Sequence, residues 1–529
     1  MAVRVRFAPS PTGQVHIGNI RAAIFNWLFA RHQGGQFLLR IEDTDLERST
    51  PQAITTLLEV LEWLKIDFDA APLYQTSQLS QHHAAAEKLL RDGHAYRDSK
   101  GGEGEAILFR IPWQAEDFPG VVCSGPATLP IHPDTPLCIS GKGLEFAALS
   151  SKGKAAPGGG CLAGFKDLQV LDVSGCCIFT LAEHIGEILQ HGASFTLPAA
   201  RELRFTRRAI TYQDLVKGLM SKPLDSMKDL VIVRSDSSPV FHLANVVDDI
   251  TQKITHIIRG DDHVENTFRH IFLFGCLQAA VPQYAHLPMI VNAAGKPYSK
   301  RDGDAFVGDF RAKGFLPETL FNYLSLLGWS PGDDREKMSR AELVAAFSLE
   351  RCLRASAQMD IQKMSNLNGA YIAEMPLQDF LSACRPFLSA TSWGKDLPEE
   401  QFRQVGALMQ SRVKRFVDVE QWEYFFVDLP SYDEKLCAKQ LRDPQILAAL
   451  ARLPEVFAAL PQFTAAAIEN AIHVSTEAVG LSQGKLNQPL RAAVTGIAIG
   501  AGIYETLELL GRDKTIRRLQ HVLLQQSAS

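Results

Sequence analysis

The stretch Arg6-Phe7-Ala8-Pro9-Ser10-Pro11-Thr12-Gly13-Gln14-Val15-His16-Ile17-Gly18-Asn19 constrains this chain more than any other. It follows an alternating run from Val3 to Phe7 and leads into an amphipathic run from Ile20 to Phe29. A strand, a Pro/Gly turn and a helix start are therefore predicted within about thirty residues. Glycines at such a turn let the backbone approach a ligand closely, and the free N–H groups of a helix start face an anion. With His16 at the turn and Arg6 and Ser10 just upstream, a nucleotide and a carboxylate can be held side by side.

The pattern continues. Gln36–Glu42 reads as a second strand, ending in Glu42-Asp43-Thr44-Asp45, and Thr50-Pro51 opens a helix with Ile54, Leu57, Leu58, Leu61 and Leu64 on one face. Strand–helix–strand–helix predicts a parallel sheet with crossover helices and ligands beyond the carboxyl ends of the strands, where His16 and Glu42 fall. From about Pro112 to Arg201, Gly, Pro and Ser become frequent; Leu168–Val173 and Cys177–Leu181 suggest a small β-rich insert. Gly158-Gly159-Gly160 reads as a flexible connection. Order resumes at Leu230–Val233, Val240–Val247 and Ile254–Arg259, followed by a helix over Asn266–Leu277. Beyond about Pro317 the spacing is helical, as at Leu343, Ala346 and Phe347, and at Ile503, Leu507 and Leu510. The last helix presents Lys514, Arg517 and Arg518, read as a solvated face or, more sharply, as an RNA contact.

A length of 529 residues suggests three to five domains. No apolar run reaches the roughly 18 residues of a membrane span, and no cationic segment followed by an apolar one opens the chain, so a cytoplasmic enzyme is expected. Nine cysteines without a C-x-x-C pair read as reduced, structural thiols. With a net charge of −5, any nucleic-acid surface must be a local basic patch.

A second signature lies far downstream: Gly295-Lys296-Pro297-Tyr298-Ser299-Lys300-Arg301-Asp302-Gly303. Together with His16-Ile17-Gly18-Asn19 it resembles the signature pair of class I aminoacyl-tRNA synthetases. Arg6–Gly13, Ile41-Glu42-Asp43-Thr44-Asp45, His242-Leu243-Ala244-Asn245-Val246-Val247-Asp248-Asp249, Ile258-Arg259-Gly260-Asp261-Asp262-His263 and Gln488–Gly496 narrow the likeness to the glutamyl-tRNA synthetase family. It covers nearly the whole chain apart from about Trp113–Ala200. Glutaminyl-tRNA synthetases open differently, with Pro-Pro-Glu at Ala8-Pro9-Ser10.

The resemblance implies an α/β N-terminal half, a Rossmann-type parallel sheet split by an α+β insert, followed by an all-α C-terminal half. The expected segments are 1–80 and 242–290 for the two halves of the catalytic domain and 81–241 for an acceptor-arm insert enlarged over about 113–200. A stem-contact region is expected at 291–376 and an anticodon-binding region at 377–529. It implies ATP-dependent activation of L-glutamate and transfer to the terminal adenosine of tRNA(Glu), with Mg²⁺ on the ATP phosphates, by a monomer; charging of tRNA(Gln) stays open. His16, Gly18 and Lys300 are the expected catalytic residues. Arg6, Ala8, Ser10, Glu42, Phe241, Asn245, Arg259 and His263 would form the glutamate pocket; Asn19, Ser299 and Arg301 would join His16, Gly18 and Lys300 around ATP. Glutamate's two carboxylates and one ammonium suit this set: Arg6 and Arg259 for the side-chain carboxylate by bidentate bonds, Glu42 for the amine.

The chain departs from the pattern in places. Asn19 replaces the second histidine, Pro297 the first lysine, and Phe241 a frequent tyrosine. Lys337-Met338-Ser339-Arg340 looks like a second lysine signature, but Ser339 and Glu342 before an apolar run read as a capping box. Lys363-Met364-Ser365-Asn366 likewise reads as structural. Relatives that hold zinc in the insert use close cysteines and a histidine; Ala95–Lys100 has none, and Cys161, Cys176, Cys177 and His184 or His191 are poorly spaced, so no zinc is expected. Arg412 matches a position that contacts tRNA in some relatives. Two other classes remain. A small-molecule nucleotidyltransferase leaves the helical half idle, and a non-catalytic RNA-binding paralogue predicts lost catalytic residues. tRNA-dependent attachment of glutamate separates all three.

Overall fold

The computed structural model describes residues 2–45, 47–99, 104–134, 136–145, 150–151, 154–155, 164–428, 436 and 439–527. The Gly158–Gly160 connection, Cys161 and Cys437 lie outside them. Two compact units are present, one of residues 1–308 with 321–359 and one of 309–320 with 360–529.

The first unit is α/β. Arg4–Phe7, Gln36–Ile41 and Leu73–Tyr74 form a parallel three-stranded sheet, with Arg6 opposite Leu38 and Arg40 opposite Leu73. A second parallel pair, His256–Gly260 and Gln283–Leu287, is joined to the first strand at Thr255, whose N–H donates to the Arg4 carbonyl at 2.9 Å. The expected crossover helices are Ile17–His32 and Pro51–Trp63, the second opened by Thr50, whose hydroxyl accepts the N–H of Ala53. Ile17–His32 is not amphipathic: eleven of its sixteen residues are buried. Its polar positions are used inside, since Asn26 donates to the Ile258 carbonyl at 2.9 Å and Arg21 to the carbonyls of Leu327 and Pro288.

The insert is β-rich, as expected. Its spine is the thirteen-residue strand Glu202–Asp214, antiparallel to Val121–Pro130, Gly218–Pro223 and Gln169–Leu171. At its carboxyl end Asp214 pairs with Tyr284, which fuses the insert to the parallel strands. One core runs through both, including Trp113, Phe165, Leu203, Phe272 and Tyr284; each such fully buried apolar side chain contributes roughly 1.5–3 kcal/mol. Ser339 and Glu342 form the capping box read from the sequence, at the start of Arg340–Ala346.

The second unit is helical. Leu377–Ser389, Glu399–Met409, Pro444–Ala458, Ala465–Glu477, Gln483–Thr495, Ile503–Leu510 and Arg512–Ser527 enclose a core around Phe380, Trp422 and Phe457. The Lys363–Asn366 segment lies in the helix Ile361–Ala373, capped by Asp360, with Met364 fully buried. Only part of the basic stripe is a solvated face, since Arg517 is exposed while Lys514 and Arg518 turn inward. Arg518 is buried and donates to the carbonyls of Val494, Tyr424 and Val427 at 2.7–2.8 Å. Lys514 donates to Phe425 O at 3.0 Å, and Arg517 pairs with Asp428 at 2.7 Å. These cations close the carbonyl end of Glu423–Phe426, the arrangement a helix C-terminus favours. Among the described residues no helix is long and apolar enough to cross a membrane.

Candidate active site

His16 caps the helix Ile17–His32: its Nδ1 accepts the N–H of Gly18 at 3.0 Å. The ring proton of the neutral imidazole is therefore on Nε2. Gly18 matters because a Cβ there would sit 3.2 Å from that Nδ1, tighter than ordinary contact. Burial lowers the His16 pKa, with the Tyr298 backbone acting the other way, so the ring is neutral near pH 7. The two signatures are stitched together. Ile17 N–H donates to Ala305 O and Val307 N–H to Val15 O, both at 3.0 Å, and the His16 ring meets Phe306 edge-on at 5.9 Å.

Beside His16 lies a cavity of about 590 Å³. Arg6, Ala8, Ser10, His16, Gly18 and Asn19 line it from the first strand and the turn. Glu42, Phe241, Asn245, Arg259 and His263 line it from the following strand ends and helices. Ser299, Lys300 and Arg301 do not; the second loop reaches it through Pro297 and Tyr298. Lys300 Nζ lies 6.0 Å above the Phe306 ring that meets His16. Asp302 fixes this loop by accepting the N–H and hydroxyl of Ser299 at 2.9 and 3.0 Å and the amide of Asn292 at 2.6 Å. Arg301 is exposed there. Arg412 is in the other unit, exposed at the end of the turn Gln410–Arg412.

The cavity is walled by restrained charges. Arg6 gives Nε and Nη2 to Asp249 at 2.9 and 3.4 Å, so its side-on edge is taken and its end-on edge, with Nη1, is left. Arg40 shares Asp249 at 2.5 Å and donates to Glu42 Oε1 at 3.4 Å. Burial pushes the Asp249 carboxyl up, but Arg40 and Arg6 outweigh it and hold the group below its usual range. For Glu42 burial wins over the pull of Arg40 and Arg6 and raises its pKa. Asn245 donates to Glu42 Oε1 at 2.8 Å, while Asn245 Oδ1 is buried with no partner among the described residues. Such an orphan acceptor costs about 1–3 kcal/mol unless a ligand donates to it.

Arg259 is buried as deeply, and burial lowers its pKa to about 10, so it stays charged. Its Nη2 donates to Thr267 Oγ1 at 2.7 Å and its Nε to His286 Nε2 at 3.3 Å, again leaving Nη1. His263 stacks on Phe241 with ring centres 5.7 Å apart.

Sequence reading missed the groups that hold these arginines: Arg40, Asp249, Asp214, Thr267 and His286. It also missed Asp248, which accepts His82 Nε2 at 2.7 Å and Gln75 Nε2 at 2.8 Å. One signal was available, the adjacent acids Asp248-Asp249 inside an otherwise apolar helical run.

The chain that builds this site, a helix start capped by a histidine beside a pocket of two cations and one carboxylate, has known relatives. Residues 2–104 and 176–366 match the model of the catalytic domain of class I tRNA synthetases (E and Q), and 379–523 match an anticodon-binding domain. The chain is 33% identical over 98% of its length to glutamate–tRNA ligase 1 of Caldanaerobacter subterraneus subsp. tengcongensis, of which it covers 97%. It is 34% identical, with 98% of each chain covered, to the glutamate–tRNA ligase of Anaeromyxobacter dehalogenans. The chain belongs to the glutamate–tRNA ligase family. A solved glutamate tRNA ligase from Elizabethkingia meningosepticum, in complex with its amino acid, superposes with a TM-score of 0.68 at 26% identity, covering 99% of both chains. As a member of this family the chain is an aminoacyl-tRNA ligase with a class I catalytic domain and an anticodon-binding domain, and the family's substrates are tRNA, glutamate and ATP.

Proposed function

We propose that this family member joins glutamate to tRNA(Glu) in the cavity beside His16, with the pocket residues read from the sequence in the roles given there. The observation that carries this is the pairing of Arg6 and Arg259, each anchored so that Nη1 remains, with the Glu42 carboxylate across one cavity. The two Nη1 groups suit the side-chain carboxylate, one end-on bond from each. Glu42 Oε2 and Asn245 Oδ1 suit the ammonium.

In the first step an oxygen of the α-carboxylate attacks the α-phosphorus of ATP and pyrophosphate leaves. Charge builds on the phosphoryl oxygens, so catalysis is mainly positioning and electrostatics. His16 Nε2–H and the N–H groups at the helix start would receive that charge, and Lys300 would bring a further cation when its loop closes on ATP. Mg²⁺ bound with ATP would be the counter-ion of its phosphates and would supply charge neutralisation there. The ribose hydroxyl of the terminal tRNA adenosine then attacks the activated carbonyl, and AMP leaves. Arg412 is proposed as a tRNA contact on the helical unit, supported by its exposure and by the anticodon-domain match around it. We also take the chain to work as a cytoplasmic monomer, and without zinc because Ala95–Lys100 lacks the close cysteines and histidine of the zinc-holding relatives.

The test is tRNA-dependent attachment of labelled glutamate, with tRNA(Glu) and tRNA(Gln) supplied separately. Glutamyl-tRNA(Glu) is expected; absence of product with every tRNA supplied overturns the reading. Product with tRNA(Gln) would extend it.

A further inference from the structure

Arg259 and His286 are directly opposite in the parallel pair His256–Gly260 and Gln283–Leu287, so their side chains share one face. Asp214 arrives from the insert at the end of its long strand, next to the same ladder. The Asp214 and His286 side chains are both fully buried. Asp214 uses its oxygens separately. Oδ1 accepts the N–H groups of Val216 and Lys217 at 2.9 and 2.8 Å; Oδ2 accepts His286 Nδ1–H at 2.6 Å. His286 Nε2 is thereby a bare acceptor. It takes Arg259 Nε–H at 3.3 Å and the Thr267 hydroxyl at 3.0 Å, and Thr267 Oγ1 in turn accepts Arg259 Nη2–H at 2.7 Å.

We infer that Asp214 and His286 are positioning residues for the amino-acid pocket: the carboxylate sets the imidazole tautomer, and the imidazole with Thr267 turns the Arg259 guanidinium so that Nη1 faces the cavity. This rests on the reading of Arg259 as a partner of the glutamate side chain. Burial pushes the Asp214 carboxyl up, but His286 and the backbone N–H groups outweigh it and hold it ionised, while burial keeps His286 neutral. Both states are those the relay needs. An oriented guanidinium matters because a buried charge aimed elsewhere cannot bind and is expensive to leave unpaired.

Asp214→Asn is a clean probe. Asparagine Oδ1 keeps the bonds to Val216 and Lys217, while its NH₂ replaces Oδ2 and donates to His286 Nδ1. The ring proton moves to Nε2 and opposes the N–H of Arg259, the same logic by which an asparagine imposes the wrong tautomer in a catalytic triad. Thr267→Val removes the second support with little change of volume.

The experiment is steady-state aminoacylation with saturating tRNA(Glu). It uses Asp214→Asn, Thr267→Val, Arg259→Ala and the double variant Asp214→Asn/Arg259→Ala, each checked by thermal unfolding. Asp214→Asn is expected to raise KM for glutamate about tenfold, in line with other supporting-shell losses, with KM for ATP changed less than about twofold. Thr267→Val moves KM for glutamate in the same direction. In the Arg259→Ala background, Asp214→Asn adds nothing, because its effect passes through that guanidinium. An equal rise in both KM values, or the same loss in both backgrounds, overturns the inference. If Arg259→Ala itself leaves KM for glutamate unchanged, the pocket assignment has failed instead.

Discussion

The Nδ1 of His16 accepts the backbone N–H of Gly18 two residues on, at 3.0 Å, so one side chain caps the helix and, in the role proposed for it, keeps Nε2–H for the charge that develops on the phosphoryl oxygens. The two roles separate by mutation. His16→Asn keeps an N-cap acceptor and is expected to preserve the thermal midpoint, whereas His16→Ala also loses about 1 kcal/mol of capping. Both should slow glutamyl-adenylate formation by about 10²–10³-fold, measured by pyrophosphate exchange in the presence of tRNA. A variant without the ring that retains full exchange rate refutes the role.

Asp249 neutralises two buried guanidiniums, Arg6 and Arg40. Asp249→Asn strips Arg6 of its carboxylate partner and leaves Arg40 only the longer pairs with Glu42 and Asp248, at 3.4 and 3.9 Å, a loss of about 3–5 kcal/mol by the behaviour of buried pairs, to be read by urea unfolding. If the variant folds, a misdirected Arg6 should raise KM for glutamate by about tenfold or more, the worth of one charge-assisted bond.

Lys300 stands over Phe306 outside the cavity lining. Lys300→Ala should reduce activation by about 10²-fold while changing the Kd for tRNA less than about threefold. Parallel losses in exchange rate and in tRNA affinity, measured by filter binding, would contradict its assignment.

Arg518→Met removes donors from three carbonyls and should destabilise the helical unit by about 3 kcal/mol. Arg517→Ala breaks an exposed pair worth about 0–1 kcal/mol. Calorimetry on the two variants distinguishes the buried cation from its neighbour.

His242, His263 and His270 pack together with Arg259, Arg269 and Arg6 facing them. Burial, aided by those arginines, lowers all three, His242 to about 4 and His270 well below 6.5. Their unfolded value is higher, so between about 6.5 and about 4 the unfolded chain binds protons that the folded one refuses. Stability is full above that window and falls as the pH drops through it. The thermal midpoint should follow, and His270→Gln should make the fall shallower; an unchanged slope counts against the cluster as its source.

The sequence made groups that line the cavity legible and left their supports hidden. His16, Glu42 and Ser10 sit in short contiguous patterns whose turn and strand-end chemistry is local. Asp249 and Arg6, by contrast, are 243 positions apart, and Asp214 and His286 are 72 apart. No periodicity links such pairs; only the closed sheet does. The burial of Arg21 and Asn26 within a run read as amphipathic has the same cause, since their acceptors, the carbonyls of Leu327 and Ile258, come from distant chain. Lys514 and Arg518 read as surface cations because their partner carbonyls belong to the backbone, which carries no sequence signal.

The rungs that tie Val15 to Val307 and Ile17 to Ala305 carry a rule about chain length. Between these anchor points the polypeptide can lengthen, as the gap from 104 to 176 in the family match illustrates, provided it returns to the same rung. From Lys300 to Phe306 there is no such slack. Adding or deleting one residue there would shift the bridge by one place and take the Phe306 ring away from His16. The two halves of the reaction centre thus act as a clasp, tolerant of any detour between its ends and intolerant of a slipped tooth.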